Sequence, residues 1–312
     1  MALEHRLPRG GRPHVVALGA GTRRRHEALG ALLFLLPSAV LFLIFIAGPI
    51  VASFALTFFQ WDGLSPSRFI GLGNYRTLVG DTLLGTVLLN TAVFVVADVA
   101  AKMLLALLLA VAVDRYVGRL MRTIFRAIVF FPVIVSGIAI GIIWVWLLNT
   151  NFGLVNYYLG QVGVPPIAWL DSSSHALGSL VVVDVWRSVG FSFVVFTAGL
   201  QGIPRDLYEA AAIDGASGWD QFRAVTLPLL SPTTFFLLVI NLIGAFQFFD
   251  LSYAMTQGGP GDATRTIVYY IYDTAFHYFR FGYGSTIAVL LFAILGVLTF
   301  LQVRLSRRWV FY

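Results

Sequence analysis

Ile203-Pro204-Arg205-Asp206-Leu207-Tyr208-Glu209-Ala210-Ala211-Ala212-Ile213-Asp214-Gly215-Ala216-Ser217-Gly218-Trp219-Asp220-Gln221-Phe222-Arg223-Ala224-Val225-Thr226-Leu227-Pro228 is a polar island between two long apolar runs. Pro204 suits a first helical turn, where its missing N–H costs nothing. Asp206 and Glu209 suit the positive end of that helix, and Glu-Ala-Ala-Ala is a strong helix former. Asp214-Gly215 stops it, because glycine accepts the positive φ of a helix C-terminal cap. Ser217 caps a second short helix, with Asp220 three residues on in a box-like arrangement. That helix runs to Leu227, and Pro228 resets the chain. The segment therefore reads as helix–turn–helix.

The surroundings of this island set its environment. The 312 residues are 58% hydrophobic and 12% charged, with a mean hydropathy of +0.84, against about 45–50% and about 25% in soluble domains. A soluble fold cannot hide that much apolar surface, so lipid is the expected solvent. A span needs about 20 apolar residues to cross hydrocarbon, and six stretches qualify: about 31–59, 84–113, 124–148, 176–200, 232–256 and 284–304. The first is longer than needed and holds Pro37 and Pro49, so part of it is expected to kink or to lie at the interface. It is too long for the apolar core of a cleaved leader and is read as an anchor. Fifteen Arg residues fall in the N-terminal tail, the even-numbered loops and the C-terminal tail, against four in the odd-numbered loops. The positive-inside rule then places both termini, and the 203–228 island, in the cytoplasm. The expected fold is an all-α membrane protein of six transmembrane helices: a cytoplasmic tail over 1–30, a transmembrane domain over 31–312, and a cytoplasmic helix–turn–helix at about 201–231 between the fourth and fifth spans. Trp61, Trp144, Trp146, Tyr157, Tyr158, Trp169 and Tyr283 lie near span ends, where amphipathic rings favour the headgroups. Gly137 and Gly141 form a GxxxG pair suited to close helix contact. The net charge of +6 is assigned to orientation in the membrane rather than to nucleic acid.

Glu209-Ala210-Ala211, three residues, Gly215, nine residues, Val225, one residue, Leu227-Pro228 resembles the EAA motif of the permease subunits of binding-protein-dependent ABC importers. Val225 stands where isoleucine is usual. Gly71-Leu72-Gly73-Asn74-Tyr75, Phe131-Pro132, Trp144-Val145-Trp146, Thr256-Gln257-Gly258-Gly259-Pro260 and Thr264 resemble segments of the sugar-type members, related to maltose and glycerol-phosphate permeases. The resemblance implies that the island is the coupling helix that docks on an ATPase. Glu209 would make the polar contact, and Asp214 and Gly215 would form the turn. Ala210, Ala211 and Ala216 would pack closely, with Leu227-Pro228 closing the motif. It also implies two ABC ATPase copies holding ATP and Mg, a second permease subunit that is a different chain, an extracytoplasmic solute-binding protein, and a carbohydrate or polyol solute.

No energy source is legible in the chain itself. A P-loop needs Gly-Lys-Ser or Gly-Lys-Thr, and the single lysine, Lys102, follows Ala101 and precedes Met103 within a span. The sequence has no HExxH or GxSxG and no cysteine, and its five histidines are scattered, so neither catalytic residues nor a metal site are expected. Ionisable groups inside spans are costly and face the bundle interior or a cavity. Here they are Asp98 with Lys102, four apart, and Asp184 with Arg187, three apart, each pair able to bond within its own helix. Two readings stay open for them, structural pairing and lining of a path. In the fifth span Asn241, Phe246, Gln247, Phe248, Asp250 and Tyr253 mix hydrogen-bonding groups with rings. Such a mixture suits sugars, which offer hydroxyls and apolar C–H faces. The alternative function is a secondary transporter driven by an ion gradient at Asp98 or Asp184.

Overall fold

The structure, a computed structural model, describes residues 20–311. Six of the arginines counted above lie in the N-terminal tail, and Arg6, Arg9 and Arg12 fall outside the described residues. Two compact units are separated at Ala52/Ser53. The first is helical from Ala20, so the helix begins within the expected tail. It comprises α1 (Ala20–Phe42), a π turn (Leu43–Ala47) and the start of α2 (Gly48–Leu56). Pro37 lies inside α1 without ending it. The π turn stands two residues ahead of Pro49, and the Gly48 amide reaches back five residues to the Leu43 carbonyl.

The second unit begins with the end of α2, a two-residue strand pair β1 (Phe59–Gln60) and β2 (Arg68–Phe69), and α3 (Gly73–Val79). Long helices follow where the apolar runs predicted them. α4 (Thr82–Tyr116) starts under an Asp81 cap that accepts from the Leu83 and Leu84 amides. α5 (Arg119–Phe130), a 3-10 turn (Phe131–Ile134) and α6 (Gly137–Leu147) replace the expected straight third span, and the direction changes by 97° between them. Pro132, which lacks an amide hydrogen, falls in that turn. After α7 (Leu154–Gln161) comes α8 (Ala176–Gln201), which follows the expected fourth span within a residue.

The island folds as α9 (Arg205–Ile213) and α10 (Gly218–Gln221), then a π turn (Phe222–Thr226) and α11 (Leu227–Leu229). α12 (Ser231–Phe246), a π turn (Ser252–Thr256), α13 (Ile267–Tyr272), a further π turn (Asp273–His277) and α14 (Phe281–Ser306) complete the chain. Among the described residues, by length and composition, four helices can cross a membrane, or up to six if each of two bent pairs is one span, the second being 218–229 with 231–246 at 63°.

α4 and α8 form the centre. Ala106, Ala110 and Val113 of α4 meet Val189, Phe193, Phe196 and Leu200 of α8 in one buried cluster, which Leu237 of α12 completes. Small residues on α4 let the backbones approach, which drives helix association where lipid is as apolar as leucine. Gly190 does the same toward α5: a Cβ there would collide with the Val129 carbonyl and the Phe130 Cα. The GxxxG pair is likewise used. A Cβ at Gly141 would meet Ala254, and one at Gly137 would collide with the Asp250 carboxylate.

Candidate functional site

The two sets of candidate residues occupy different surroundings. The helix–turn–helix keeps the predicted caps with two shifts. Pro204 is the residue before the first turn of α9, not within it (φ −59°, ψ 133°). Pro228 does not reset the chain, since helix continues to Leu229 and the bend falls at Leu230. The π turn over Phe222–Thr226 explains this, because a widened turn ahead of a proline accommodates its missing N–H without breaking the helix. Gly215 has φ +81°, the left-handed conformation in which a side chain is strained. Ser217 accepts the Asp220 amide, and Asp220 in turn accepts the Ser217 amide at 3.0 Å. The Ser217 hydroxyl and amide on Asp220 hold its carboxyl below the ordinary carboxylate range.

Glu209, Ala210, Asp214 and Gly215 are exposed, while Ala211 and Ala216 are half-buried. Leu227 is exposed and Pro228 half-buried. Ile213 and Trp219 stand 87% and 67% exposed. Tyr208 bonds Thr226 at 3.0 Å, closing α9 onto the π turn. Arg115 at the end of α4 donates to the Gly218 carbonyl at 3.2 Å. Together these bonds fasten the island to the longest helix of the bundle.

The second set gathers where the fifth span breaks. α12 ends at Phe246, residues 247–249 are unwound, and helix resumes at Asp250. The freed Phe248 carbonyl accepts from the Thr266 hydroxyl at 3.0 Å, and Asp250 Oδ1 accepts the Leu251 amide at 3.0 Å. Irregular backbone at membrane depth requires such partners or a cavity to line. A cavity of about 470 Å³ lies at the break, lined by Asn241, Gln247, Phe248 and Asp250 together with Lys102, Asp184 and Arg187.

Asp98 with Lys102 and Asp184 with Arg187 do pair within their helices, but they are not two separate pairs. Lys102 Nζ lies 2.7 Å from Asp98 and 2.6 Å from Asp184. Arg187 lies 2.8 Å from Asp184 and 2.7 Å from Asp250. One chain of alternating charge, Asp98–Lys102–Asp184–Arg187–Asp250, thus ties α4 to α8 and α8 to the restarted helix. Asp98 is wholly buried, and among the described residues its Oδ1 has no hydrogen-bond partner. Arg187 and Asp250, at the far end, are partly open.

Asn241 is buried and donates to Ser192 at 2.9 Å, so it braces α12 on α8 at the edge of the cavity. Phe248 stacks on Phe94 at 3.9 Å between centroids, inside the core. Phe246 and Tyr253 do not line the cavity. Sequence reading missed Phe249, Ser188 and Phe191, which do. Ser188 and Phe191 lie one and two turns past Asp184 on α8, a spacing that offered a signal. Phe249 offered none, because its position depends on the break. Among the described residues no group of three or more His, Asp or Glu side chains converges on a metal position.

Residues 102–312 match the family described as "Binding-protein-dependent transport system inner membrane component". The chain is 36% identical over 282 residues to the sn-glycerol-3-phosphate transport system permease protein UgpA of Brucella abortus, covering 89% of this chain and 94% of that protein. It is 34% identical over 286 residues to the trehalose/maltose transport system permease protein MalF of Thermococcus litoralis, covering 90% of this chain and 95% of that one. In fold it is similar to a chain of a bacterial alginate ABC transporter crystallised with an alginate pentasaccharide-bound periplasmic protein, at a TM-score of 0.79, 23% identity, and coverage of 92% and 96%.

Proposed function

The chain belongs to the binding-protein-dependent transport system inner membrane components, and we propose that it forms half of the translocation path of an ATP-driven importer for a carbohydrate or related polyol. As a member of that family it is a multi-pass membrane protein and a transport component. An external binding protein delivers the solute, a second permease chain completes the path, and two separate ATPase subunits hold ATP and Mg. Both termini and the helix–turn–helix lie in the cytoplasm, following the arginine distribution. The relatives that transport trehalose, maltose and glycerol phosphate support the solute class.

The observation that carries the coupling role is the island itself. Large apolar side chains on a polar loop, Ile213 and Trp219 above all, mark a surface that a partner covers. Glu209, Asp214 and Gly215 are presented outward beside them. In this reading the ATPase grips α9 and the turn. Closure of the ATPases moves the island, and the Arg115–Gly218 bond passes that motion to α4. The 63° bend at Leu230 passes it to α12, at whose other end the solute cavity opens. The chain of charges between α4, α8 and Asp250 keeps those helices in register during the movement.

Affinity purification of the tagged chain from its native membrane in mild detergent tests the reading. An ABC ATPase is expected to accompany the wild type and to be lost with Gly215→Val, while the thermal stability of the isolated chain changes little. Recovery of the wild type without any ATPase overturns the coupling assignment. Uptake that persists without ATP and ceases when ion gradients are collapsed overturns the importer.

A further inference from the structure

Six aromatic rings lead away from the cavity at the fifth-span break toward a second, larger one. Phe249 lines the first cavity, and its ring is 5.4 Å from Tyr253 and 5.0 Å from Tyr272. Tyr272 is followed by Phe276 at 5.7 Å, Phe276 by Phe281 at 5.6 Å, and Phe281 by Trp61 at 5.5 Å. Trp61 lines a cavity of about 760 Å³ between the β1–β2 hairpin and the segment 278–283. Each step falls in the range in which aromatic pairs attract one another.

None of the six rings belongs to the three buried apolar clusters. Tyr253 and Phe276 are 39% and 59% exposed, and the other four are half-buried. Core packing therefore does not explain them, in contrast to the Phe94–Phe248 stack. Nor do they form a girdle at one membrane depth, as anchoring rings do. Phe249 lies inside the fifth span, seven residues before its expected outer end, whereas Trp61 lies in the loop beyond the first. The series thus joins the break in the span to the loops on its outer side.

We propose that these rings form a saccharide track that hands pyranose units from the outer cavity to the cavity at the break. The apolar C–H face of each sugar stacks on successive rings, and the Tyr253 and Tyr272 hydroxyls engage sugar hydroxyls. The proposal rests on the carbohydrate reading above and adds binding positions outside the fifth-span cavity.

The chain contains no cysteine, so a single introduced thiol reports on one position. Phe276→Cys, Tyr272→Cys and a control on a remote exposed site, Val162→Cys, are assembled with the ATPase, partner permease and binding protein in vesicles that hydrolyse ATP. Trehalose, maltotriose and sn-glycerol 3-phosphate serve as probes. A saccharide that is taken up with ATP is expected to slow thiol labelling of this chain several-fold at positions 276 and 272 and not at 162. Phe276→Leu is expected to raise KM for that saccharide by up to about tenfold, the loss of a stacking contact, with the maximal rate within about twofold. Phe276→Tyr restores KM. Uptake of a saccharide without protection, and with KM unchanged in Phe276→Leu, overturns the track and leaves the carbohydrate reading standing. Protection at 162 as well also overturns the track. Uptake of glycerol phosphate alone overturns the track and leaves the polyol form of the reading standing, whereas uptake of no probe overturns both.

Discussion

The island at 203–230 and the break at 247–250 are separated by one helix and are built on opposite principles. The island keeps its shape by bonds within itself, a left-handed glycine, a reciprocal Ser217–Asp220 cap and the Tyr208–Thr226 hydroxyl pair, with Arg115 tying it to α4. The break depends on charges from other helices: Lys102 and Asp184 are 82 positions apart, and Arg187 and Asp250 are 63 apart. A segment that must be gripped and moved keeps its shape by itself. A segment that must open and close around a solute is held by bonds to neighbours that can shift.

Substitutions should divide the two regions sharply. The largest effect is expected from Lys102→Met, which strands Asp98 in the core and leaves Asp184 to Arg187 alone. Breaking a buried ion pair costs about 3–5 kcal/mol, read as a lower thermal midpoint of the detergent-solubilised chain, and removing Asp98 as well should recover part of it. Next comes Gly190→Val, which drives a side chain into the α5 backbone. Overpacking of that kind costs about 1–3 kcal/mol, measured by the same melt and accompanied by faster proteolysis at the α5–α6 bend. Gly215→Val follows. A left-handed conformation costs a branched residue about 1–2 kcal/mol, but locally, so ATPase recovery should fall while the melt of the bundle barely moves. A large fall in the melt would show that the island is not autonomous.

The smallest effect concerns pH. Asp220 has a lowered pKa in the fold, so its contribution to the α10 cap is present above its unfolded pKa. That contribution is lost as pH falls through the folded value, below the ordinary carboxylate range. Protection of the Ser217 and Asp220 amides from hydrogen exchange, taken relative to the intrinsic rate at each pH, should hold across neutral pH and fall only in acid. Ser217→Ala, at about 1 kcal/mol, should lower that protection at every pH. Loss of protection already near neutrality would contradict the cap.

The same division explains what could be read in the chain. Caps, turns and helical runs depend on residues a few positions apart, so α8 and α9 are legible almost to the residue and α4 and α14 to within about three, as is the i,i+4 pairing of Asp98 with Lys102, while the second island helix, expected to run to Leu227, gives way to a π turn after Gln221. The joining of the two charge pairs into one chain is not, because it depends on how α4 faces α8. The breaks in the third and fifth spans were hidden by apolar composition, since a hydrophobic run looks the same whether it is straight or bent. Asn241, Gln247 and Asp250 are recognisable as misplaced polar groups in such a run. That Phe246 and Tyr253 would stand apart from them follows only from the unwound turn between.

The π turns make the direction of the chain depend on its length. Each holds one residue more than an α-helix would, and each residue advances a helix by about 100°. The turn at Phe222–Thr226 therefore rotates Leu227, Pro228 and everything up to Leu230 by that angle relative to an uninterrupted helix. A single-residue deletion there would relax the backbone into ordinary helix and yet point the far side of the joint the wrong way. Length therefore matters at this joint as well as identity: the Ser217–Asp220 cap could stay intact and the joint still point the wrong way.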